Sequence, residues 1–388
     1  MKRILIAGLC LAMLAGCAPA ASDSGPASAP PAAQEPIIEA QPQTEAWPLT
    51  GLALDEGTEQ APRPFAVMID NTRRAYPQWG IGKADAMVEA VTEGGVTRLM
   101  CLYSRVDDME TRVGPVRSAR DVFLQLAMPL NAVPVHIGSS SFANNFLNYY
   151  SWTTIDGLVL GTSCFDLDRS RMLTRDADGN RTGSEHSWYT HAAALSQAME
   201  TRGIQPDGGM IPLLDFAADA AVSGDQTAAS VQMSYSYETP AGFTYDAGQG
   251  KYLKTSFDGA PHVDANDNTQ LAFDNLLLLQ VDTRLKPDGV HTDFELTQGE
   301  GWWICGGKLQ PVRWEKGDPE QPLCLFGEDG KALSVKAGKT YIGLLSGTDG
   351  ESLTVDGVAL LGGASAEASS ASAATAWAGR SPKDPRSA

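Results

Sequence analysis

The residues best suited to chemistry are two arginines, Arg117 and Arg120, which lie three positions apart directly after a Gly-Pro turn. Pro115 fixes its own φ and disfavours helix at the residue before it, so we expect the chain to turn there. Ser118 or a neighbour then caps a helix over residues 122–130. Because arginine is disfavoured at the positive end of a helix dipole, the pair predicts either an anion to neutralise or carboxylates elsewhere in the fold.

A carboxylate of catalytic type lies upstream of these arginines. Glu93 directly precedes a Gly-Gly turn, and Arg98 follows five residues later. A glutamic acid whose pKa is raised by burial acts as a general acid in glycan cleavage, which also uses a second carboxylate. The alternative is that Glu93 pairs with an arginine of the 113–121 stretch and only stabilises the fold. The candidates for a second carboxylate are Asp70, Asp121 and Asp156.

Two histidines stand beside hydroxyl-bearing residues. His136 ends an apolar stretch close to Ser139, and His186 precedes Tyr189. A Ser–His nucleophile is one interpretation of the first pair. The other is a structural histidine, which the lack of a Gly-x-Ser-x-Gly motif in the sequence favours.

Two further pairs are ambiguous. His262 and Asp264 have the side chains of metal ligands, but the surrounding turn residues favour ordering of a loop. We predict no metal site and no cofactor. Trp302 and Trp303 must point to opposite faces of a strand, so one belongs to the core and the other either packs there or stacks on a sugar.

These residues lead to three functional hypotheses. The first is recognition of a cell-envelope component, either a glycan or an anionic group, through a cleft rich in Glu and Arg. The second is an enzyme that cleaves or remodels cell-wall glycan with Glu93 as general acid, and the third is a non-catalytic scaffold for envelope proteins. The predicted ligand-binding residues are Asp70, Arg98, Arg117, Arg120, Asp121, His136, Ser139, His186 and Tyr189.

The N-terminus predicts export and lipidation. Residues 1–16 combine a basic start, a short apolar run and small residues, as in a secretory signal peptide. Leu-Ala-Gly-Cys at residues 14–17 resembles the lipobox of bacterial lipoproteins, in which Cys17 is diacylated. Two acyl chains anchor a protein stably. We therefore expect the protein on the extracytoplasmic face of the cell membrane, bound through a diacylglyceryl group, with a cell-wall glycan or an envelope protein as a further partner.

Charge and cysteine content narrow the alternatives. The net charge of −18 argues against nucleic acid as a partner and against broad electrostatic docking on anionic polymers. Four cysteines remain after the lipobox: Cys101, Cys164, Cys305 and Cys324. If they form two bridges, three connectivities are open; Cys305–Cys324 is the favoured pair if any forms, because both lie in one β-rich region, and an unpaired, buried Cys101 is equally open.

Composition divides the chain into a lipidated, disordered tether at 17–46, a domain at 47–210, a second domain at 211–348 and an extension at 349–388 that is disordered from about 362. Alternation of strands and helices predicts an α/β or α+β fold for the first domain, including a hairpin around Glu93. The second domain reads as mostly antiparallel β. Its predicted strands are 231–238, 242–245, 251–257, 271–281, 294–297, 301–304, 311–314, 323–326 and 340–345.

Several of these motifs together resemble the YerB-like bacterial lipoproteins, a two-part family of unknown function. The likeness spans roughly residues 60–346, and it implies an envelope lipoprotein without established catalysis. The motifs that carry it are at 63–71, 84–85, 93–98, 113–120, 136–139, 186–190, 252–254, 261–264, 273–276 and 339–342.

The lipobox interpretation predicts the fate of a Cys17→Ala variant. Without the thiol that accepts the lipid, the protein should move from the membrane fraction to the medium, which fractionation and immunoblotting would measure. Cys10→Ala is the control, because Cys10 is removed with the signal peptide. Retention of Cys17→Ala in the membrane would contradict the prediction.

Overall fold

The computed structural model describes residues 46–109, 111–175, 179, 181–237, 239–348 and 350–362. Cys17, the tether before residue 46 and the tail after 362 lie outside these residues. Up to residue 210 the elements are β1 Phe65–Asp70, β2 Ala86–Val91, β3 Thr97–Tyr103, α1 Asp121–Ala127, β4 Val133–His136, α2 Ser141–Tyr149, β5 Ile155–Asp156, α3 Gly157–Leu160, β6 Asp166–Leu167, β7 Trp188–Tyr189 and α4 Ala192–Arg202.

The part of the chain after residue 210 is built from strands joined by turns. They are β8 Phe216–Ala217, β9 Ser230–Ser234, β10 Pro240–Asp246, β11 Lys251–Thr255, β12 Ala272–Phe273, β13 Asn275–Gln280, β14 Thr283–Leu285, β15 Thr292–Phe294, β16 Gln298–Cys305, β17 Lys308–Glu315, β18 Cys324–Phe326, β19 Val335–Lys336, β20 Thr340–Leu345, β21 Ser352–Val355 and β22 Val358–Leu361.

One ten-stranded sheet takes strands from both sides of residue 210. Its order is β18-β17-β16-β13-β20-β2-β3-β1-β4-β5. At its centre β20 pairs in parallel with both β2 and β13, while the hairpin partners β2 and β3 are antiparallel. The fold is therefore a mixed α/β arrangement in the first half of the chain and mostly antiparallel β in the second, as the sequence predicts.

Both faces of this sheet are covered, which explains why β1 is apolar throughout. Phe65, Val67 and Ile69 pack in a core formed with α4 and a second sheet. Ala66 and Met68 point the other way, into a core formed with α1 and α2. Side chains alternate between the faces of a strand, so a strand buried on both faces carries no polar alternation.

The second sheet has six strands in the order β12-β11-β10-β9-β21-β22. Residues 350–362, which the sequence places in the C-terminal extension, supply β21 and β22, and β21 pairs with β9. The predicted strand 271–281 divides between the two sheets: β12 belongs to the six-stranded sheet and β13 to the ten-stranded one. The prediction of a single strand was wrong, because a run of apolar residues indicates that the segment is buried but not to which sheet it belongs.

The helix boundaries follow local capping. Ser140 accepts a hydrogen bond from the backbone N–H of Ala143 and caps α2, and Gly203 ends α4 with φ 67°. The predicted cap of α1 by Ser118 was wrong. Arg120 occupies the cap position with no side-chain capping bond, because the Ser118 hydroxyl donates instead to the carbonyl of Ile137 at 3.0 Å.

The predicted Cys305–Cys324 disulfide was also wrong, since all four cysteines in the described residues are free thiols. Cys305 pairs with Lys308 at one end of the β16–β17 hairpin, whereas Cys324 pairs with Glu315 at the other end. Seven residues of strand separate these points by about 23 Å. A disulfide requires Cα atoms within about 7 Å.

A buried ion pair joins the two sheets. Glu89 on β2 accepts hydrogen bonds from Asn71 at 2.9 Å, Thr97 at 2.7 Å and Tyr341 at 2.7 Å. Lys254 of the six-stranded sheet places its Nζ 3.5 Å from Glu89 Oε2, and both side chains are almost fully buried. A charge removed from water is tolerated only when it is paired and hydrogen-bonded, so this contact fixes one sheet against the other.

Lys254→Met should destabilise the protein by about 3–5 kcal/mol, because it leaves the Glu89 carboxylate buried without its counter-charge. Adding Glu89→Gln should recover most of that loss, and urea denaturation would measure both. Lys251→Met is the matched control on the same strand, since Lys251 pairs with Asp274 at the surface. Equal destabilisation by the Lys251 and Lys254 variants would contradict the prediction.

Candidate functional site

The arginine-bearing stretch lies where two parallel strands part. β1 and β4 pair only from Phe65 to Val67. Beyond that point Arg117 enters the gap: its backbone N–H donates to Met68, and its carbonyl accepts from Ile137. The crevice beyond the carboxyl ends of parallel strands that diverge is where open α/β sheets bind ligands.

Asp70, the last residue of β1, is ionised beside this stretch. One carboxylate oxygen lies 2.7 Å from His186 Nδ1 and 3.3 Å from Arg117 Nε, and the other accepts from the backbone of Thr72. Burial by itself raises the pKa of this carboxyl. The hydrogen bond with His186 and the positive charges of Arg98, His186 and Arg117 outweigh burial and lower the pKa to about 2.

Arg98 carries two buried nitrogen atoms whose hydrogen-bonding capacity the surroundings leave unsatisfied, and the Nε of Arg117 is a third such atom in the site. Arg98 pairs in register with Asp70 across β1 and β3, and only 3% of its surface is exposed. Its Nε and Nη1 atoms have no hydrogen-bond partner among the described residues. Burial lowers its pKa to about 10, and the charges of Arg120 and Arg117 act in the same direction against that of Asp70. Arg98 therefore remains a cation with buried N–H groups available.

Glu93 forms the outer part of the site. Its two carboxylate oxygens each lie 2.7 Å from a nitrogen of Arg120, a bidentate pair, and His291 Nε2 is 3.2 Å away. Burial raises the pKa of Glu93, but Arg120 and His291 lower it below its usual value overall. This geometry favours the ion-pair interpretation over a general acid, which must hold its proton near neutral pH.

The hairpin of β14 and β15 lies against the same site. Lys286 contacts Asp121 at 2.9 Å and Asp293 at 2.6 Å, so Asp121 serves as an ion-pair partner. Lys286 Nζ also lies 4.9 Å from the ring centre of Phe142, and the His291 ring packs edge-on against that ring. The hairpin is therefore held beside the Glu93–Arg120 pair by polar and aromatic contacts.

Other predicted residues have contacts of their own. His136 is buried between the Gly138 carbonyl and the Thr154 hydroxyl, and burial lowers its pKa. Ser139 is half-buried and its backbone pairs with Ala119. Tyr189 packs with Trp79 and with the guanidinium of Arg112, away from the contacts of Glu93. These contacts are structural ones.

The remaining acidic and aromatic candidates also order the fold. Asp156 accepts from the backbone of Gly138 and Leu158. Asp264 accepts from Gly80 and Gly82, so it fastens a loop of the second half of the chain to the first. Trp303 is buried and Trp302 half-buried on opposite faces of β16, as the sequence predicts.

The structure thus brings Asp70, Arg98, Arg117, Arg120, Asp121, His186 and Glu93 into one polar site. Sequence reasoning missed His291 and Lys286, which come from a hairpin far along the chain. Their only signal is the mixed charge of residues 282–295, which is typical of a solvated turn. We name the set of Arg98, Arg117, Arg120, Asp70 and Glu93 the arginine site.

Comparisons with known proteins agree with this architecture. Residues 49–205 match the N-terminal domain, and residues 231–342 the C-terminal domain, of the protein of unknown function DUF3048. The chain is 27% identical over 312 residues to "Putative lipoprotein YerB" of Bacillus subtilis (strain 168), covering 79% of this chain and 88% of that protein. It also resembles the crystal structure of YerB from Bacillus subtilis, with a TM-score of 0.67 and 26% identity over 80% of this chain and 99% of that one.

Within the described residues, every helix is too short or too polar to cross a bilayer. The longest, α4, has 11 residues and carries Glu200 and Arg202 in its last turn.

The lowered pKa of Asp70 predicts how the protein responds to acid. A carboxyl whose pKa is about 2 in the folded state stabilises the fold fully above its unfolded pKa. This contribution, about 2 kcal/mol, is lost as the pH falls below about 4 towards 2. Urea denaturation between pH 5 and 2 should therefore show a shallower loss of stability for Asp70→Asn. Asp219→Asn, at an exposed turn, is the control, and parallel curves for wild type and Asp70→Asn would contradict the prediction.

Proposed function

This chain belongs to the YerB-like two-part family, DUF3048, whose function is unknown, and we propose that it recognises an anionic group of a cell-envelope component at the arginine site. The likeness to a lipoprotein supports a place at the membrane surface, where the diacylated Cys17 holds the folded part. The site acts as a local cationic crevice in an otherwise acidic protein, whose net charge is −18.

The observation that carries the proposal is the pair of buried, unpartnered N–H groups on Arg98. Leaving a buried donor without a partner costs about 1–3 kcal/mol, and more when the group is charged. Three guanidinium groups here face two carboxylates, so the site has positive charge in excess. A bound phosphate or carboxylate oxygen accepts hydrogen bonds from these N–H groups, and its negative charge offsets the excess positive charge of the site.

Access to the site is through Arg117 and Glu93. The side chain of Arg117 is 29% exposed and that of Glu93 is 23% exposed, whereas Arg98 is only 3% exposed. An anion that binds Arg117 at the surface lies in front of Arg98. Arginine suits this task because its planar fork binds phosphate and carboxylate in a bidentate manner.

The catalytic alternative has less support. Glu93 is held as an anion by Arg120, and each candidate second carboxylate, Asp70, Asp121 or Asp156, has structural partners. Incubation with purified peptidoglycan tests this alternative and the scaffold hypothesis together. Muropeptide release that Glu93→Gln abolishes would establish the enzyme, pelleting without release supports recognition, and neither result leaves the scaffold.

Calorimetric titration of the full-length protein in detergent with inorganic phosphate and with pyrophosphate tests the recognition directly. We expect one site per chain, with an affinity that falls as salt rises. Arg117→Gln should weaken binding by about tenfold or more, the value of one charge-assisted hydrogen bond. Arg313→Gln is the control, because Arg313 is an arginine on β17 that is more exposed than Arg117, 46% against 29%.

Arg98→Met separates a binding role from a structural one. If Arg98 serves a ligand, its replacement abolishes phosphate binding and changes the free energy of unfolding little, because the loss of its attraction to Asp70 is offset by the removal of unsatisfied buried donors. A purely structural arginine would instead cost about 3–5 kcal/mol, as a broken buried ion pair does. Absence of phosphate and pyrophosphate binding, or a large loss of stability in Arg98→Met, would overturn the proposal.

A further inference from the structure

A second cavity, of about 290 Å³, opens beyond the C-terminal ends of α1 and α2. This volume lies at the small end of the range of about 300–1,000 Å³ for small-molecule sites. We name it the aromatic groove. Its side chains include Tyr150, Trp152, Asn131, Gln205 and Thr153.

The lining of the groove is mostly polar, with two aromatic side chains, Tyr150 and Trp152, and one charged side chain, that of Arg63. Tyr150 and Trp152 are half-buried, so part of each ring is accessible. Amide and hydroxyl groups lie around them, and no carboxylate belongs to the lining. A ligand that matches this surface is neutral, has apolar C–H faces to lie on rings, and carries many hydroxyl or amide groups. That combination describes a pyranose ring.

The guanidinium of Arg63 acts as a brace for the groove. Its Nε donates to the carbonyl of Asn131 at 2.8 Å, and its Nη1 donates to the carbonyl of Gln205 at 3.2 Å. Arg63 therefore ties together two opposite walls that lie far apart in sequence. Both of these hydrogen bonds end on backbone carbonyls, and the side-chain amides of Asn131 and Gln205 also belong to the lining.

The aromatic side of the groove is equally fixed. The Tyr150 ring packs 4.8 Å from that of Phe146. Burial and the nearby carboxylate of Glu320 raise the pKa of Tyr150 to about 12, so the phenol stays neutral. Asn131 and Ser151 have φ angles of 48° and 50°, a conformation that non-glycine residues seldom adopt. The backbone thus holds a polar side chain at two positions of the wall where glycine is the easier residue.

The groove continues past Arg63. A neighbouring cavity of about 400 Å³ shares Arg63, Gly203, Ile204 and Gln205 with it, and its lining adds apolar groups such as Met199. A ligand longer than one ring therefore has room along the same surface.

We propose that the aromatic groove binds a neutral oligosaccharide, with a pyranose ring on Tyr150 and Trp152 and its polar groups on the amides of Asn131 and Gln205. The site is separate from the arginine site. Phe142, at the start of α2, contacts the hairpin beside Glu93, whereas Tyr150 follows the end of that helix about 12 Å away. Failure of phosphate binding therefore leaves this proposal standing, and the reverse also holds.

NMR titration of the full-length protein in detergent with the β-1,4-linked trimer of N-acetylglucosamine, and with maltotriose, tests the proposal. We expect saturable shifts of the Trp152 indole N–H with at least one saccharide. Tyr150→Ala should weaken binding about fivefold or more, whereas Tyr150→Phe, which keeps the ring, should stay close to wild type. Asn131→Gly should also weaken binding about fivefold, because it removes an amide at a φ that glycine adopts freely.

Two controls separate binding from folding. Tyr237→Ala removes a ring that is 77% exposed and does not belong to the groove lining, so its affinity should match wild type. Arg117→Gln should bind saccharide normally. No titration by either saccharide, or equal affinity in wild type, Tyr150→Ala and Asn131→Gly, would overturn the proposal, as would a shift pattern centred away from Trp152.

Discussion

The buried carboxylate of Glu89 is the interaction on which the rest of the structure depends. It lies at the centre of the ten-stranded sheet and accepts three hydrogen bonds there, while Lys254 reaches it from the six-stranded sheet. On the opposite face of the same edge, Asp70 and Arg98 form a second set of ionised groups. The edge of the sheet at which β1 and β2 end thus carries charged groups on both faces. On one face Glu89 is fully paired, whereas on the other the N–H groups of Arg98 lack partners among the described residues.

Local signals predicted local structure well. The Gly-Gly turn after Glu93 predicted the hairpin that β2 and β3 form. The pairing of strands that lie far apart in the sequence could not be predicted. Alternation of side chains indicates which face of a strand is buried, but not which strand lies beside it. The break at Asp274, which sends β12 and β13 to different sheets, has no sequence signal stronger than an ordinary polar residue. The disulfide prediction for Cys305 and Cys324 failed for the same reason, since the register of strand pairing decides how far apart the two residues lie.

The arginine site was partly visible in the sequence, because Arg98, Arg117 and Arg120 come from short motifs close to strand ends. Their partners were harder to assign. Glu93 forms its ion pair with Arg120 rather than with Arg117. The hairpin that contributes His291 lies far from both along the sequence. The sequence does not single out Tyr150 as a binding residue, because an aromatic residue at a helix end usually belongs to a core. Only the approach of Asn131 and Gln205 from other segments makes its ring part of a cavity.

The central position of β20 has a consequence for biogenesis. Its two neighbours, β2 and β13, are made earlier, and β2 precedes it by more than two hundred residues. Until residues 340–345 emerge, both neighbours present unpaired edges, which are sites of aggregation. Such distant pairing gives a high contact order and slow folding. The main sheet is therefore completed only after most of the folded region has been synthesised, and the chain depends on protection of those edges in the interval.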